Sequence, residues 1–166
     1  MAEITTETAV LAGGCFWGMQ DLIRVIPGVI SSEVGYTGGT TIDPVYEQTK
    51  TGTTGHTESV KIVFDPKRVS FETLLDHFFK MHNPTTRNQQ GNDKGSQYRS
   101  AIFYQSDAQK ISAENKIKEW NDSGKWKAPI VTEVVKAMPY YSAENYHQDY
   151  LRKNPGGYTC HYYREF

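Results

Sequence analysis

The sequence changes its hydrophobic period between residues 58 and 79, and this change constrains the fold more than any other feature. From Glu58 to Phe64 the apolar residues alternate, with Val60 and Ile62 on the same face as Phe64, as in a strand. The next apolar residues recur at helical spacing behind Ser70, a residue type favoured at a helix N-cap. They are Phe71, Leu74, Leu75, Phe78 and Phe79. A strand and a helix that each have one apolar face predict a sheet covered by a helical layer.

The remaining segments alternate irregularly between strand and helix patterns. Further strands are predicted at 8–12, 29–36, 98–104 and 131–136, further helices at 16–25, 107–120 and 143–153, and long polar loops at 37–55 and 83–97. This order favours an α+β fold, a two-layer α/β sandwich with a mixed or antiparallel sheet; a doubly wound parallel sheet is the alternative. The 166 residues form one predicted domain. Its Gly-containing tail, at about 154–166, is expected to be flexible.

Composition and charge exclude several classes of protein. Lys and Arg number 18 against 19 Asp and Glu, so strong attraction to nucleic acid or to an anionic membrane is not expected. No apolar run approaches the ~18 residues of a membrane span, and the first ten residues do not resemble a secretory signal. Two cysteines are too few for a disulfide scaffold, which predicts a cytoplasmic, reducing location. The five histidines show no metal-ligand spacing with either cysteine, so no metal site is predicted.

Cys15 lies where the first strand pattern gives way to a helix, directly after Gly13 and Gly14. A thiol at a helix N-terminus is close to unpaired backbone N–H groups and to the positive end of the helix dipole, and both lower its pKa. Phe16 and Trp17 follow at once and can form an apolar wall. These features favour a nucleophile; the alternative is a small buried cysteine that only packs at a tight junction.

Glu58 has the strand parity of Val60 and Ile62, so its carboxylate is predicted to point to the core side of the sheet. It also stands at the beginning of the strand, beside the first long loop. Loss of hydration at such a position raises the pKa of a carboxyl group and makes it a proton donor near neutral pH. If the strand starts one residue later, Glu58 is instead solvated.

Four further residues belong to the loops and the tail. Tyr46, Asp93 and Tyr98 lie in or beside the two polar loops and can offer hydrogen bonds to a small polar ligand. Each is equally compatible with an ordinary turn or surface residue. Cys160 follows two glycines in the tail, and its separation from Cys15 neither supports nor excludes a bridge, because disulfide geometry depends on the fold.

Three motifs occur in a particular order along the chain. They are Gly14-Cys15-Phe16-Trp17-Gly18, then Gly55-His56-Thr57-Glu58, then Gln90-Gly91-Asn92-Asp93-Lys94-Gly95-Ser96-Gln97-Tyr98-Arg99-Ser100. In this combination the chain resembles the type A peptide-methionine sulfoxide reductases, from about Val10 to about Tyr158. The resemblance implies a two-layer α/β fold with ferredoxin-like elements. It also implies an oxidoreductase that acts on sulfur, reducing the S epimer of methionine sulfoxide, free or in oxidised proteins.

The resemblance implies roles for three residues in the chemical steps of the reaction. Cys15 is the expected nucleophile, and Glu58 is the expected acid that protonates the sulfoxide oxygen. Cys160 matches the resolving cysteine, whose disulfide with Cys15 is reopened by thioredoxin. Many relatives have two cysteines in this tail; with one, a single transfer is expected. No metal or organic cofactor is implied, since thioredoxin or dithiothreitol supplies the electrons, and a monomer is expected.

The resemblance also implies a substrate-binding set. Tyr46 and Tyr98 are expected to hydrogen-bond the sulfoxide oxygen, and Asp93 to assist through a bound water. Phe16 and Trp17 are expected to hold the S-methyl group.

Two other classes of function compete with this interpretation. A Cys–His hydrolase would use Cys15 with His56 or another histidine as base and would need no reductant. A binding module would stack single-stranded nucleic acid on its aromatic residues. Neither accounts for Cys15, Glu58 and Cys160 together.

Overall fold

A mixed β-sheet forms the centre of the structure, a computed structural model that describes residues 5–159 and 161–165. Cys160 therefore lies outside the described residues. The strands within them are β1 Glu7–Gly13, β2 Val29–Thr37, β3 Thr57–Phe64, β4 Gln89–Gln90, β5 Asp93–Lys94, β6 Ser100–Tyr104, β7 Glu133–Lys136 and β8 Tyr141–Ser142. The helices are α1 Phe16–Ile23, α2 Tyr46–Thr49, α3 Phe71–Met81, α4 Asp107–Ser123 and α5 Tyr150–Lys153. Two 3₁₀ turns span Ser96–Tyr98 and Asn145–His147.

The strand order of the sheet is β7-β6-β1-β3-β2-β8. Its neighbouring strands are antiparallel except for β6 and β7, which are parallel. The short strands β4 and β5 pair with each other outside this sheet. A mixed sheet in an α+β chain confirms the predicted fold class and excludes the doubly wound parallel alternative, whose strands are mostly parallel.

One face of the sheet carries the main core, where helices cover it. Val60, Ile62 and Phe64 of β3 are all buried there. The helical residues packed in the same cluster include Met19, Ile23, Leu74, Leu75, Phe78 and Phe79. As predicted, Ser70 caps α3, accepting a hydrogen bond from the backbone N–H of Thr73 at 3.1 Å. Burial of each such large side chain stabilises the fold by roughly 1.5–3 kcal/mol.

The other face of the sheet is also apolar at its centre. Val10 and Ala12 of β1 pack there with Ala101 and Phe103 of β6, while Ala9 and Leu11 of β1 belong to the helical side. Successive residues of a strand point to opposite faces, and β1 is apolar from Ala9 to Ala12 because both of its faces are covered there.

The helix predicted at 143–153 is wrong. The structure has a 3₁₀ turn, then Asp149 in the left-handed region (φ 53°), and only then the one-turn helix α5. Gln148 explains the break: its amide accepts from the N–H of Val34 and donates to the carbonyl of Val34, both at 2.9 Å. This pairing with strand β2 is a tertiary interaction that overrides local helix propensity.

The two predicted loops contain short regular elements. The first includes α2, and the second includes the β4–β5 pair and the turn at Ser96–Tyr98. The strand predicted from residue 98 therefore begins two residues later, at Ser100. These corrections matter for the site, because α2 carries Tyr46 and the 3₁₀ turn carries Tyr98.

Candidate active site

Antiparallel pairing brings the ends of three strands to one edge of the sheet. Strand β1 lies between β3 and β6. Leu11 of β1 is opposite Val60 of β3, and Gly13 of β1 is opposite Ser100 of β6. The end of β1 thus lies beside the beginnings of both β3 and β6. Cys15 comes two residues after β1, Glu58 is the second residue of β3 and Tyr98 comes two residues before β6. Residues that are distant in sequence meet here because of strand topology.

A cavity of about 80 Å³ opens at this edge. Its lining residues are Cys15, Phe16, Trp17, Tyr46, Glu58, Asp93, Tyr98 and Tyr158. The structure thus brings together every described residue of the predicted site. Tyr158 is an additional member that the sequence did not single out, and its hydroxyl donates to Oδ2 of Asp93 at 3.3 Å. Cys160, the remaining predicted residue, lies outside the described part of the chain.

Cys15 is the N-cap residue of α1 and is 8% exposed. The turn that places it needs glycine at the preceding position: Gly14 has φ 96°, and a Cβ there would lie 2.5 Å from Cγ of Gln90. The Cys15 side chain makes no capping hydrogen bond to its own helix. Cys15 thus directly precedes the first backbone N–H groups of α1, of which that of Phe16 donates to Glu58.

Glu58 is buried on the core side of β3, 2% exposed, as its parity with Val60 predicts. Its Oε1 accepts a hydrogen bond from the backbone N–H of Phe16 at 3.1 Å. Burial raises the pKa of this carboxyl to about 8, with a further increase from the charge of Asp93 and a partial decrease from the Phe16 N–H. At neutral pH the group is therefore mostly protonated, as a general acid must be.

Two phenols complete the polar part of the cavity. Burial, and secondly the charge of Glu58, raises the pKa of both Tyr46 and Tyr98, so each keeps its proton and can donate it in a hydrogen bond. Burial also raises the pKa of Asp93, while the hydrogen bond from Tyr158 lowers it. The cavity therefore presents several proton donors to any oxygen bound within it.

Phe16 and Trp17 form the aromatic wall of the cavity. This wall packs against residues 147–150, the segment in which the predicted helix is interrupted. Tyr150 stacks on Trp17, with ring centroids 3.8 Å apart and an interplanar angle of 11°. The indole N–H of Trp17 donates to Nδ1 of His147 at 2.9 Å. His147 is 1% exposed and also packs against Phe16 and Tyr46. Its Nε2 has no hydrogen-bond partner within the part of the chain that the structure describes.

Glu144, just before this segment, binds residues of strand β2 and helix α2. Its Oε1 accepts from the hydroxyl of Tyr36 at 2.8 Å, and its Oε2 accepts from the backbone N–H of Tyr46 at 2.9 Å. Burial acts to raise the pKa of this carboxyl, but hydrogen bonds, including those from the Tyr46 N–H and the Tyr36 hydroxyl, lower it overall, so the group stays ionised as an acceptor. Sequence reasoning missed Glu144, His147 and Tyr150 as supporting residues. The high density of polar and aromatic residues between 144 and 150 was the available signal.

His56 is not placed to act as a base for Cys15. Its Nδ1 accepts from the N–H of Gly39 at 3.1 Å, and its Nε2 lies 2.6 Å from the carbonyl oxygen of Thr41, which can only accept. Both ring nitrogens are thus engaged with backbone, and His56 does not line the cavity. This geometry counts against the hydrolase alternative that names His56.

Two features are absent from the described residues. Across residues 5–159 and 161–165, no three His, Cys, Asp or Glu side chains are grouped as they would be to hold a metal ion. None of the helices in those residues has the length and apolar character needed to cross a membrane.

The fold and the cavity together place a cysteine at a helix start beside a buried carboxylic acid, an arrangement typical of an enzyme active site. A family model described as peptide methionine sulfoxide reductase matches residues 7–166. The chain is 56% identical over 160 residues to the peptide methionine sulfoxide reductase MsrA 1 of Mesorhizobium japonicum, which covers 96% of this chain and 91% of the relative. This chain belongs to the peptide methionine sulfoxide reductase family, and it is an oxidoreductase.

Solved structures agree with this assignment. Mxr1 from Saccharomyces cerevisiae in reduced form has a TM-score of 0.92 and 37% identity to this chain, covering 99% of this chain and 95% of Mxr1. Mxr1 in complex with Trx2 has a TM-score of 0.67 and 25% identity, with coverage of 99% and 94%.

Proposed function

We propose that this protein reduces the S epimer of methionine sulfoxide, free and in oxidised proteins, to methionine. The observation that carries the proposal is the buried carboxyl of Glu58, with its pKa raised to about 8, held by the backbone N–H next to Cys15 in an aromatic-walled cavity. A sulfoxide sulfur becomes electrophilic only as its oxygen takes up a proton. A neutral acid beside a cysteine meets that requirement at physiological pH.

In the first step the sulfoxide oxygen receives a proton from Glu58 while Tyr46 and Tyr98 donate hydrogen bonds to it. The Cys15 thiolate attacks the sulfur, giving a sulfurane-like species. Collapse of that species releases methionine and leaves a sulfenic acid on Cys15, so the substrate sulfur gains the two electrons that the Cys15 sulfur loses. Asp93 assists through a bound water.

The S-methyl group of the substrate is held by Phe16 and Trp17. The stacking of Trp17 on Tyr150 and its hydrogen bond to His147 support this role, because they fix the indole before substrate arrives. A cavity of about 80 Å³ has room for a small group at the end of a side chain. This size suits a methionine sulfoxide presented by a larger protein as well as the free amino acid.

In the second step the sulfur of Cys160 attacks the sulfenic sulfur of Cys15; the S–S bond forms as the S–O bond breaks, and the hydroxyl leaves as water with the thiol proton of Cys160. Thioredoxin then opens the disulfide by thiol exchange, so neither a metal nor an organic cofactor takes part. The complex of the relative Mxr1 with Trx2 supports a partner of this class. The protein is predicted to be a monomer, and its predicted location is the reducing cytosol.

The test is chiral chromatography of racemic methionine sulfoxide incubated with the protein and dithiothreitol. We expect complete loss of the S epimer with the R epimer untouched, because a handed cavity places the oxygen of only one epimer beside the Glu58 acid. Omission of dithiothreitol should limit conversion to about one equivalent per protein. Consumption of both epimers, or of neither, contradicts the proposal.

Substitution of the second cysteine separates the two steps. Cys160→Ser is expected to form about one methionine per protein at the wild-type rate and then to stop with thioredoxin as the reductant, because no disulfide is available for exchange. The readouts are methionine formed in a single turnover and thioredoxin-dependent consumption of reductant at steady state. Steady-state activity with thioredoxin at the wild-type level would contradict a resolving role.

A further inference from the structure

Two described residues of the tail, Thr159 and His161, pack against the Cys15 turn, the segment 13–18 that contains Cys15. A Cβ at Gly18 of α1 would overlap Nδ1 of His161 and Oγ1 of Thr159, so the two tail residues lie directly on the helix start. A Cβ at Gly14 would lie 3.4 Å from Nε2 of His161. The imidazole thus fills the space between the two glycines that flank the Cys15-Phe16-Trp17 segment.

His161 makes a hydrogen bond of defined direction in this space. Its Nε2 lies 2.6 Å from the carbonyl oxygen of Gly13, which can only accept, so Nε2 carries the proton. The side chain is 6% exposed, and burial lowers its pKa to about 4. The imidazole is therefore neutral at physiological pH and is bonded to the residue two positions before Cys15.

Tyr163 and Arg164 of the tail contact a different element of the fold. The N–H of Arg164 donates to the carbonyl of Lys80 at 3.0 Å, and the hydroxyl of Tyr163 lies 3.0 Å from Nδ1 of His77. Both contacts are with α3. His161 thus hydrogen-bonds the end of β1, two residues before Cys15. His77 of α3 contacts the same tail at Tyr163, away from Cys15.

We propose that His161 is a positioning residue for the resolving step, an inference that rests on the proposed function of Cys160. The step breaks the S–O bond of the Cys15 sulfenic acid and forms the S–S bond; the Cys160 sulfur supplies the electron pair, and the hydroxyl leaves as water with the thiol proton. Its rate depends on the effective concentration of the attacking thiol. Thr159 and His161 precede and follow that thiol in the chain, and their contacts with the Cys15 turn raise this concentration.

The experiment follows the two steps separately in one reaction. Reduced protein is freed of reductant and mixed with methionine sulfoxide; timed samples are quenched and alkylated, and methionine and the Cys15–Cys160 disulfide are measured by mass spectrometry. In His161→Ala we expect methionine to form at the wild-type rate and the disulfide about tenfold more slowly. The sulfenic acid should accumulate meanwhile. His161→Gln keeps a side-chain N–H donor and should restore most of the rate.

His77→Ala is the matched control, because it removes a histidine contact to the same tail away from the Cys15 turn; both steps should keep their wild-type rates. Gly18→Ala, which displaces the imidazole from the other side, should also slow disulfide formation. Disulfide formation at the wild-type rate in both His161→Ala and Gly18→Ala overturns the proposal. So does an equal slowing of both steps in His161→Ala, which would indicate a merely structural role. Cys160→Ser, run in parallel, reports separately on the resolving cysteine.

Discussion

Cys15→Ser is expected to lower the rate of S-epimer reduction by more than about 10⁴-fold, as removal of a covalent nucleophile does in other enzymes. A serine hydroxyl at this position has almost the size of the thiol. The hydroxyl stays protonated at neutral pH, however, and oxygen cannot take the place of sulfur in forming a sulfenic acid. The measurement is chiral chromatography of the remaining sulfoxide after prolonged incubation with dithiothreitol.

The control for Cys15→Ser is the integrity of the fold and of the cavity. Because the side chain occupies the N-cap of α1 without a capping hydrogen bond, its replacement should leave the thermal midpoint within a few degrees of wild type. Binding of methionine sulfoxide should also persist. It can be measured as the change in tryptophan fluorescence that the substrate causes next to Trp17. Substantial reduction by a well-folded Cys15→Ser protein would transfer the nucleophile's role to another group.

Glu58→Gln is expected to lower kcat by about 10²–10⁴-fold, the contribution typical of a positioned general acid. Glutamine keeps the shape of the side chain, and its amide oxygen can still accept from the N–H of Phe16. It has no acidic proton to give to the sulfoxide. Glu114→Gln, at an exposed ion pair on α4, is a matched substitution that should leave kcat unchanged.

The pH profile provides a sharper test of Glu58. Since its pKa is about 8, the protonated form predominates below that pH and disappears above it. Wild-type activity should therefore fall as pH rises through about 8, and Glu58→Gln should lack this alkaline decrease. The same decrease in both proteins would assign it to another group.

Stability should also decrease as pH rises, but over a lower pH window than activity. Between the ordinary carboxyl pKa of 4.5 and about 8, the folded chain holds a proton on Glu58 that the unfolded chain has lost. Its contribution to the free energy of unfolding is therefore fully present below pH 4.5 and decreases by about 1.4 kcal/mol per pH unit up to pH 8. Glu58→Gln avoids this loss, so urea unfolding should show a stability advantage over wild type that grows across this window.

The sequence alone could locate site residues where a regular pattern of apolar residues or glycines defines the local structure. Alternation along β3 put Glu58 on the core side, because a strand has only two faces and Val60, Ile62 and Phe64 identify the buried one. The Gly13-Gly14 pair likewise located Cys15 at a strand-to-helix turn. Tyr46, Asp93 and Tyr98 lie in segments without a period, so their places in the site were expected only from resemblance.

The supporting residues of the aromatic wall depend on contacts that no local pattern encodes. His147 is 130 residues away from Trp17, its hydrogen-bond partner, and Gln148 is 114 residues away from Val34. These contacts interrupt the helix that local propensity favours at 143–153. Long-range pairing with β2 and α1 decides the conformation of this segment, so single-sequence reasoning favoured the wrong element.

The hydrogen bond from the Phe16 N–H to Glu58 also has a mechanical consequence. The donor belongs to the peptide group between Cys15 and Phe16, so one bond ties the Glu58 carboxyl on β3 to the backbone between β1 and α1. A small displacement of that backbone carries the carboxyl with it instead of opening a gap between them. Movement of the helical layer relative to the sheet should therefore change the spacing between the Glu58 carboxyl and the Cys15 backbone less than it would without this bond.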